Sequence, residues 1–285
     1  MSRTFYVNGQ FVAEADATVS VLDRGFLFAD GVYEVSTILG GRLIDNRAHL
    51  ARLARSLDAL AMAAPCTEEE LVSAQERLVE MNQVTEGMLY LQVSRGVAER
   101  DFAYPKVPKS SLVMFTQEKN IIESPLAERG MQVITMADQR WKRRDIKTVS
   151  LLAQSMAKQA ALDAGADDAW MVEDGKVTEG SSNNAWIVTA ERSLRTRQLG
   201  TEILAGITRA AVMRFAADEG YAVDESPFSV AEAQAAKEAF VTSASTFVMP
   251  VVKLDDVTLG DGRPGPVTQA LRKIYIETAL ARSDL

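Results

Sequence analysis

The first half of the chain alternates between two spacings of apolar residues. Arg3 to Val12 carries two apolar-rich runs around Asn8-Gly9, a pair suited to a two-residue hairpin turn. Val32 to Ile44 predicts a second hairpin, turning at Gly40-Gly41. From Asn46 to Ala63 the period lengthens to that of a helix, with Leu50, Leu53, Leu57 and Leu60 on one face. Thr67 and Glu70 form a capping box for a further helix running towards Val84. Met88 to Ser94 and Leu112 to Thr116 predict strands. Gln117 to Pro125 is polar and ends in proline, as linkers do.

The second half opens with a strand at Met131 to Met136, then a basic patch, then a helix from about Val149 to Ala164. Ala169 to Glu179 predicts a hairpin turning at Asp174-Gly175, and Asn184 to Thr189 a strand. Gly206 opens a helix running to Gly220. Phe240 to Thr242 and Pro250 to Leu254 predict short strands, and a last helix runs from Pro266 to about Ala281. Strands and helices mix without regular βαβ alternation, which predicts an α+β fold. The boundaries expected are an N-terminal domain over 1–118, a linker over 119–125 and a C-terminal domain over 126–285.

Composition narrows the function. The length of 285 residues suits two domains, and 47% hydrophobic with 25% charged residues is a globular balance. A net charge of -8 argues against nucleic acid, whose phosphates need a basic face. Any bound phosphate must be held by a local cluster of donors. The single cysteine, Cys66, allows no intrachain disulfide, and Met1 to Phe11 lacks an apolar signal core. No apolar run is long enough to span a bilayer, so no membrane partner is expected, and the single thiol fits a reducing cytoplasm. With His49 the only histidine, neither a zinc site nor a Ser-His-Asp triad is expected. His49, ahead of a leucine stripe, reads as structural.

Five segments carry chemistry together: Asp23-Arg24-Gly25 through Asp30-Gly31-Val32-Tyr33-Glu34-Val35, Asp145-Ile146-Lys147-Thr148, Val177 to Asn184, Glu202 to Arg209, and Thr242 to Ser245 followed by Val248-Met249-Pro250-Val251. Alone, Lys147 reads as a solvated surface amine, Glu179 as a carboxylate at a hairpin end and Arg52 as part of a polar helix face. In this order and separation the five segments resemble the fold-type IV pyridoxal-phosphate enzymes, over nearly the whole chain. That family holds D-amino-acid aminotransferases, branched-chain aminotransferases, (R)-selective amine transaminases and aminodeoxychorismate lyases. The resemblance implies a small N-terminal α/β sandwich-like domain on the substrate side, a larger C-terminal pseudo-barrel that binds pyridoxal 5′-phosphate, and a homodimer in which a first-domain segment of the partner reaches into each site.

It also implies roles for residues. Lys147 is the amine that forms the Schiff base with the aldehyde cofactor and later moves the α-proton. Arg143, Arg144 and the cofactor's own ring are expected to help keep Lys147 neutral enough to react. Glu179 pairs with the pyridine nitrogen, which makes the ring an electron sink. The phosphate falls to the predicted helix start at Gly206-Ile207-Thr208, to Ser243, Ala244 and Ser245, and to Arg52. Leu204 packs on the ring.

The first half decides the substrate. Tyr33-x-Val35 and Tyr90 resemble the D-amino-acid branch, whereas branched-chain enzymes usually have glycine where Val35 stands. D-amino-acid enzymes typically carry Arg-x-His on the following loop, a pair that grips the substrate carboxylate. This chain has Arg100 and Phe102. Arg100 can bind a carboxylate by its fork. Phe102 removes a polar partner, which is expected to loosen the grip and to admit bulkier or carboxylate-free amines. The expected reaction moves the amino group of a D-amino acid, such as D-alanine or D-glutamate, to a 2-oxo acid. The alternatives are a branched-chain or (R)-amine transaminase, an aminodeoxychorismate lyase, and a non-catalytic small-molecule binder on the same scaffold.

Overall fold

A computed structural model describes residues 3–282 as two compact units. The first runs through Asn120 and includes Ile146–Ser150; the second comprises Ile121–Asp145 and Leu151–Ala281. Ile146–Ser150 falls within the segment expected to be C-terminal domain, yet it packs with the first unit.

The first unit contains β1 (Thr4–Val7), β2 (Gln10–Ala13), α1 (Arg24–Phe28), β3 (Gly31–Leu39), β4 (Arg42–Ile44), α2 (Asn46–Ala59), α3 (Glu68–Asn82), β5 (Glu86–Ser94) and β6 (Ser111–Glu118). Its six strands form one antiparallel sheet in the order β2-β1-β6-β5-β3-β4. The Asn8-Gly9 and Gly40-Gly41 turns each hold two successive residues at positive φ, 49° and 95°, then 56° and 73°. That is the backbone a tight hairpin needs. Thr67 and Glu70 form the expected capping box at α3. Leu50, Leu53 and Leu57 of α2 and Leu71 and Leu78 of α3 pack with Leu89, Leu91, Val93 and Met114 of the sheet. The helices cover one face, so side chains that alternate to the other face of β3 and β5 are left for something else.

The second unit contains α4 (Pro125–Arg129), β7 (Met131–Ala137), α5 (Leu152–Asp163), β8 (Asp168–Glu173), β9 (Lys176–Gly180), β10 (Asn184–Val188), β11 (Leu194–Thr196), α6 (Ile207–Asp218), β12 (Val223–Glu225), α7 (Val230–Gln234), β13 (Glu238–Ser243), β14 (Phe247–Leu254), β15 (Val257–Thr258) and α8 (Pro266–Ala281). Its sheet runs β12-β11-β10-β13-β14-β7-β8-β9, with β15 on β14. The β11–β12, β14–β7 and β7–β8 pairs are parallel. Trp170, Val177, Ile187, Val241 and Met249 lie in its core. The expected Asp174-Gly175 hairpin forms between β8 and β9, with φ 51° and 72° at the turn.

Some expected boundaries move. β14 begins at Phe247 and carries Pro250 inside it, opposite Phe240, where a strand was expected to start at the proline. The pairing of β14 with β7 shifts register between Val251 and Lys253, just after the proline, and prolines in sheets are tolerated at such irregularities. The stretch expected as linker is not simply polar chain. Gln117 and Glu118 end β6, Ile121 is buried, and the Arg272 guanidinium of α8 donates to the carbonyls of Ile121 and Ile122 at 2.5 and 3.2 Å.

Candidate active site

Lys147 sits on a short extended segment that runs beside β3. Tyr33 donates its N–H to the Lys147 carbonyl at 3.0 Å, Val149 donates to the Gly31 carbonyl at 3.0 Å, and Thr148 bridges Val32. Ile146, one residue before, is buried in the first unit's core. The Lys147 backbone is therefore fixed, while its side chain is half-buried and its Nζ lies 4.2 Å from the Tyr33 ring centre. Its N–H also meets the Ser56 hydroxyl at 3.4 Å.

The strand register places three expected substrate residues on one face. Val35 lies opposite Tyr90, and Tyr33 opposite Gln92. The Tyr33 and Tyr90 rings stack at 5.6 Å, and Tyr90 stacks on Phe115 at 4.9 Å. Tyr90 Oη donates to Gln92 Oε1 at 2.8 Å, and burial pushes its phenol up. Tyr90 thus presents a stacked ring whose hydroxyl is engaged by Gln92.

Glu34 points to the helix-covered face. His49 Nδ1 donates to Glu34 Oε2 at 2.7 Å, and Arg52 donates through Nε to Oε1 and through Nη2 to Oε2, each at 2.7 Å. All three side chains are buried. Burial alone would raise the Glu34 carboxyl, but the charge and hydrogen bonds of Arg52 and the His49 contact outweigh it and hold it well below the usual range. Arg100 is exposed on the connection between β5 and β6, with Phe102 two residues on and 79% exposed.

The second unit assembles the other expected residues. Glu179, on β9, is buried. It accepts from Asn184 Nδ2 at 2.9 Å and from the Leu204 N–H at 3.1 Å, and forms an ion pair with Arg140. Burial pushes its carboxyl up, against the opposing pull of Arg140 and the Leu204 N–H. Arg140 is itself gripped by Asp138, through Nε at 3.0 Å and Nη2 at 2.7 Å. Asn184 also donates to the Leu204 carbonyl at 2.9 Å. A Cβ on Gly206 would stand 2.0 Å from Asn184 Oδ1, so only glycine lets this loop close on Asn184.

Gly206 is the N-cap of α6, which has no side-chain cap, and Thr208 lies buried in its first turn. The β10–β13 register sets Asn184 opposite Thr242, next to the turn that joins β13 to β14. In that turn the Ser243 hydroxyl meets the hydroxyls of Thr246 at 2.7 Å and Ser245 at 3.2 Å. A helix start and a hydroxyl-lined turn are both suited to a phosphate. Within the second unit, a buried carboxylate suited to a ring nitrogen and two clusters of neutral phosphate donors fit pyridoxal 5′-phosphate, and the first unit by itself offers a half-buried amine.

Arg140, Asp138, Asn184 and Thr246 had no role assigned from the sequence. Arg140 belongs to the basic patch, but its partner Glu179 lies 39 residues away, and only the pairing of β7, β8 and β9 brings them together. The two arginines expected to act on Lys147 each have a carboxylate partner. Arg143 pairs with Asp145 at 2.9 Å, and Arg144 with Glu173 at 2.7 Å.

The sequence model for amino-transferase class IV matches residues 31–254. A D-alanine aminotransferase of Staphylococcus aureus is 36% identical over 277 residues, covering 96% of this chain and 98% of that protein. One from Bacillus licheniformis is 38% identical over 280 residues, covering 98% and 96%. Among solved structures, the T.th. branched-chain amino acid aminotransferase with pyridoxamine 5′-phosphate superposes with a TM-score of 0.92 at 25% identity, covering 99% of this chain and 95% of that one. The branched-chain aminotransferase of Thermoproteus uzoniensis superposes at 0.86 and 27% identity, covering 99% and 96%.

Proposed function

Because this chain belongs to the class IV amino-transferase family, we propose that it moves the amino group of D-amino acids, D-alanine and D-glutamate among them, to a 2-oxo acid, with pyridoxal 5′-phosphate held by Lys147. The observation that carries the D-specific reading is the 36–38% identity to D-alanine aminotransferases over nearly the full length of both chains. The branched-chain structures stand further off, at 25–27%.

The cofactor, when bound, supplies an aldehyde for the substrate amine and a protonated ring that accepts the electron pair left at Cα. The chain does the rest. Lys147 Nζ would hold the cofactor until the substrate amine displaces it, and the freed amine would then take the proton from Cα and move it to the carbon on the other side of the substrate nitrogen. Glu179 holds the proton on the ring nitrogen, and Arg140 counters the rise that burial imposes on that carboxyl. Leu204, tied to Glu179 by its N–H, packs on the ring. Ile207 and Thr208 at the start of α6, the Ser243-Ala244-Ser245 turn and Arg52 bind the phosphate. Tyr33, Val35 and Tyr90 wall the substrate, and Arg100, beside Phe102, takes its carboxylate.

We place the enzyme in the cytoplasm, in keeping with its single thiol, and as a homodimer. Among the described residues, no helix is long and apolar enough to cross a membrane. Exposed Val21, Phe26 and Val107 on the first unit suit a subunit interface. Mixing the holoenzyme with D-alanine or L-leucine, without a 2-oxo acid, tests the function. D-alanine should bleach the cofactor's visible absorbance far faster. Faster bleaching by L-leucine overturns the branch assignment.

A further inference from the structure

The connection that carries Arg100, residues 95–110, is held down from inside the first unit. Arg24, at the start of α1, donates through Nε to Asp30 Oδ2 at 2.7 Å and through Nη1 to the carbonyls of Asp101 and Ala103 at 2.6 and 3.3 Å. Those two carbonyls flank Phe102. Arg95, 1% exposed, shares Asp30 Oδ2 at 2.8 Å and anchors itself on the carbonyls of Leu60 and Ala61. The Tyr104 ring covers Arg95 at 3.6 Å. A long irregular segment is thus pinned by two buried arginines on one carboxylate.

From that anchor a stack of alternating cations and rings runs outward. The Arg24 guanidinium lies 4.6 Å from the Phe28 ring centre. Arg100 lies 5.3 Å from the same ring and 5.6 Å from Phe102. Phe28 and Phe102 themselves lie 5.5 Å apart, tilted by 55°. Among the described residues, Arg100 makes no hydrogen bond or ion pair, so rings hold it and its N–H fork is unspent. A carboxylate binds to that fork in its plane, and the rings do not compete for it.

We propose that Phe28 and Phe102 position Arg100 by cation–π contact, with Arg24 fixing both the loop and Phe28, so that the fork meets a substrate carboxylate already oriented. This rests on the reading of Arg100 as the carboxylate contact. It reverses the expected effect of an aromatic residue at 102: the ring replaces a polar partner with a face that restrains the guanidinium, and the grip is kept. Orienting the fork before binding lowers the ordering cost of association and so acts on KM.

The test measures KM and kcat for D-alanine with holoenzyme carrying Phe28→Leu, Phe28→Tyr, Phe102→Leu or Arg100→Ala. Phe28→Leu should raise KM roughly three- to fivefold with kcat retained, the size of one partly exposed cation–π contact. Phe28→Tyr, which keeps the ring, should restore KM. Phe102→Leu, at an exposed position where folding is not at stake, should raise KM similarly. Arg100→Ala should raise it more than about tenfold, as loss of a charge-assisted contact does. If Arg100→Ala raises KM but neither Leu variant does, the ring cradle is wrong and the Arg100 reading stands. If Arg100→Ala leaves KM unchanged, that reading fails and the cradle with it. A Phe28→Leu loss in kcat that Phe28→Tyr does not restore also overturns the proposal, since that marks a merely structural residue.

Discussion

Glu34 grips one edge of the Arg52 guanidinium with both carboxylate oxygens, Oε1 accepting from Nε and Oε2 from Nη2, both at 2.7 Å. Because Glu34 and Tyr33 are neighbours on β3, their side chains leave the strand on opposite faces. β3 thus orients Arg52, proposed to bind the phosphate, on one face and Tyr33, proposed to line the substrate, on the other.

Replacing Glu34 by Gln leaves buried Arg52 without its counter-charge. We expect a loss of about 3 kcal/mol or more in unfolding free energy, as for removal of one partner of a buried ion pair. Urea unfolding at neutral pH checks it.

The same pair sets a pH dependence. Its partners hold Glu34 below the ordinary value of 4.5, so the stabilisation is present above that value and is lost as pH falls towards the folded-state value. Unfolding free energy should therefore decline with acidification below about pH 4.5 through this group, and that decline should be shallower in Glu34→Gln. Equal slopes in the two proteins would exclude Glu34 as a source.

Arg140 should act through Glu179. In Arg140→Met the opposing pull is gone, so the carboxyl moves further up and stays ionised only at higher pH. The acidic limb of the D-alanine half-reaction should shift to higher pH, and Arg140→Lys should restore much of it. An unshifted limb would leave Arg140 with a structural role only.

Glu179→Gln should leave the cofactor bound and slow proton removal from Cα by about 10²-fold or more, the loss seen when one preorganised electrostatic partner is removed. Single-turnover absorbance with D-alanine reads it directly.

Thr208→Val keeps the shape of the first turn of α6 and removes a hydroxyl. Reconstitution of the apoenzyme should then require about fivefold more pyridoxal 5′-phosphate, the worth of one net hydrogen bond.

Local signals made much of the fold legible. Asn8-Gly9, Gly40-Gly41 and Asp174-Gly175 mark hairpins because each turn needs two residues at positive φ. The Thr67–Glu70 box marks the start of α3. Three short elements that no turn signal brackets as a hairpin were not legible. β11 and β12 have three residues each, too few for a period to show; β11 is defined by pairing with β10 and β12, and β12 by pairing with β11. α7 has five residues, although Ser229 and Glu232 give it a full capping box. In the candidate site, the residues on quoted motifs could be singled out, while their partners could not. Asp138 and Arg140 precede Lys147 in a stretch that reads only as charged. The bond from Tyr33 to the Lys147 carbonyl joins segments more than a hundred residues apart, with no local signal for it.

The central claim is that Lys147 carries the cofactor. Borohydride reduction of the yellow holoenzyme, followed by peptide mapping, tests it most directly. The account predicts a pyridoxyl group fixed to the side chain of Lys147. The same group on any other lysine, with Lys147 unmodified, would contradict it.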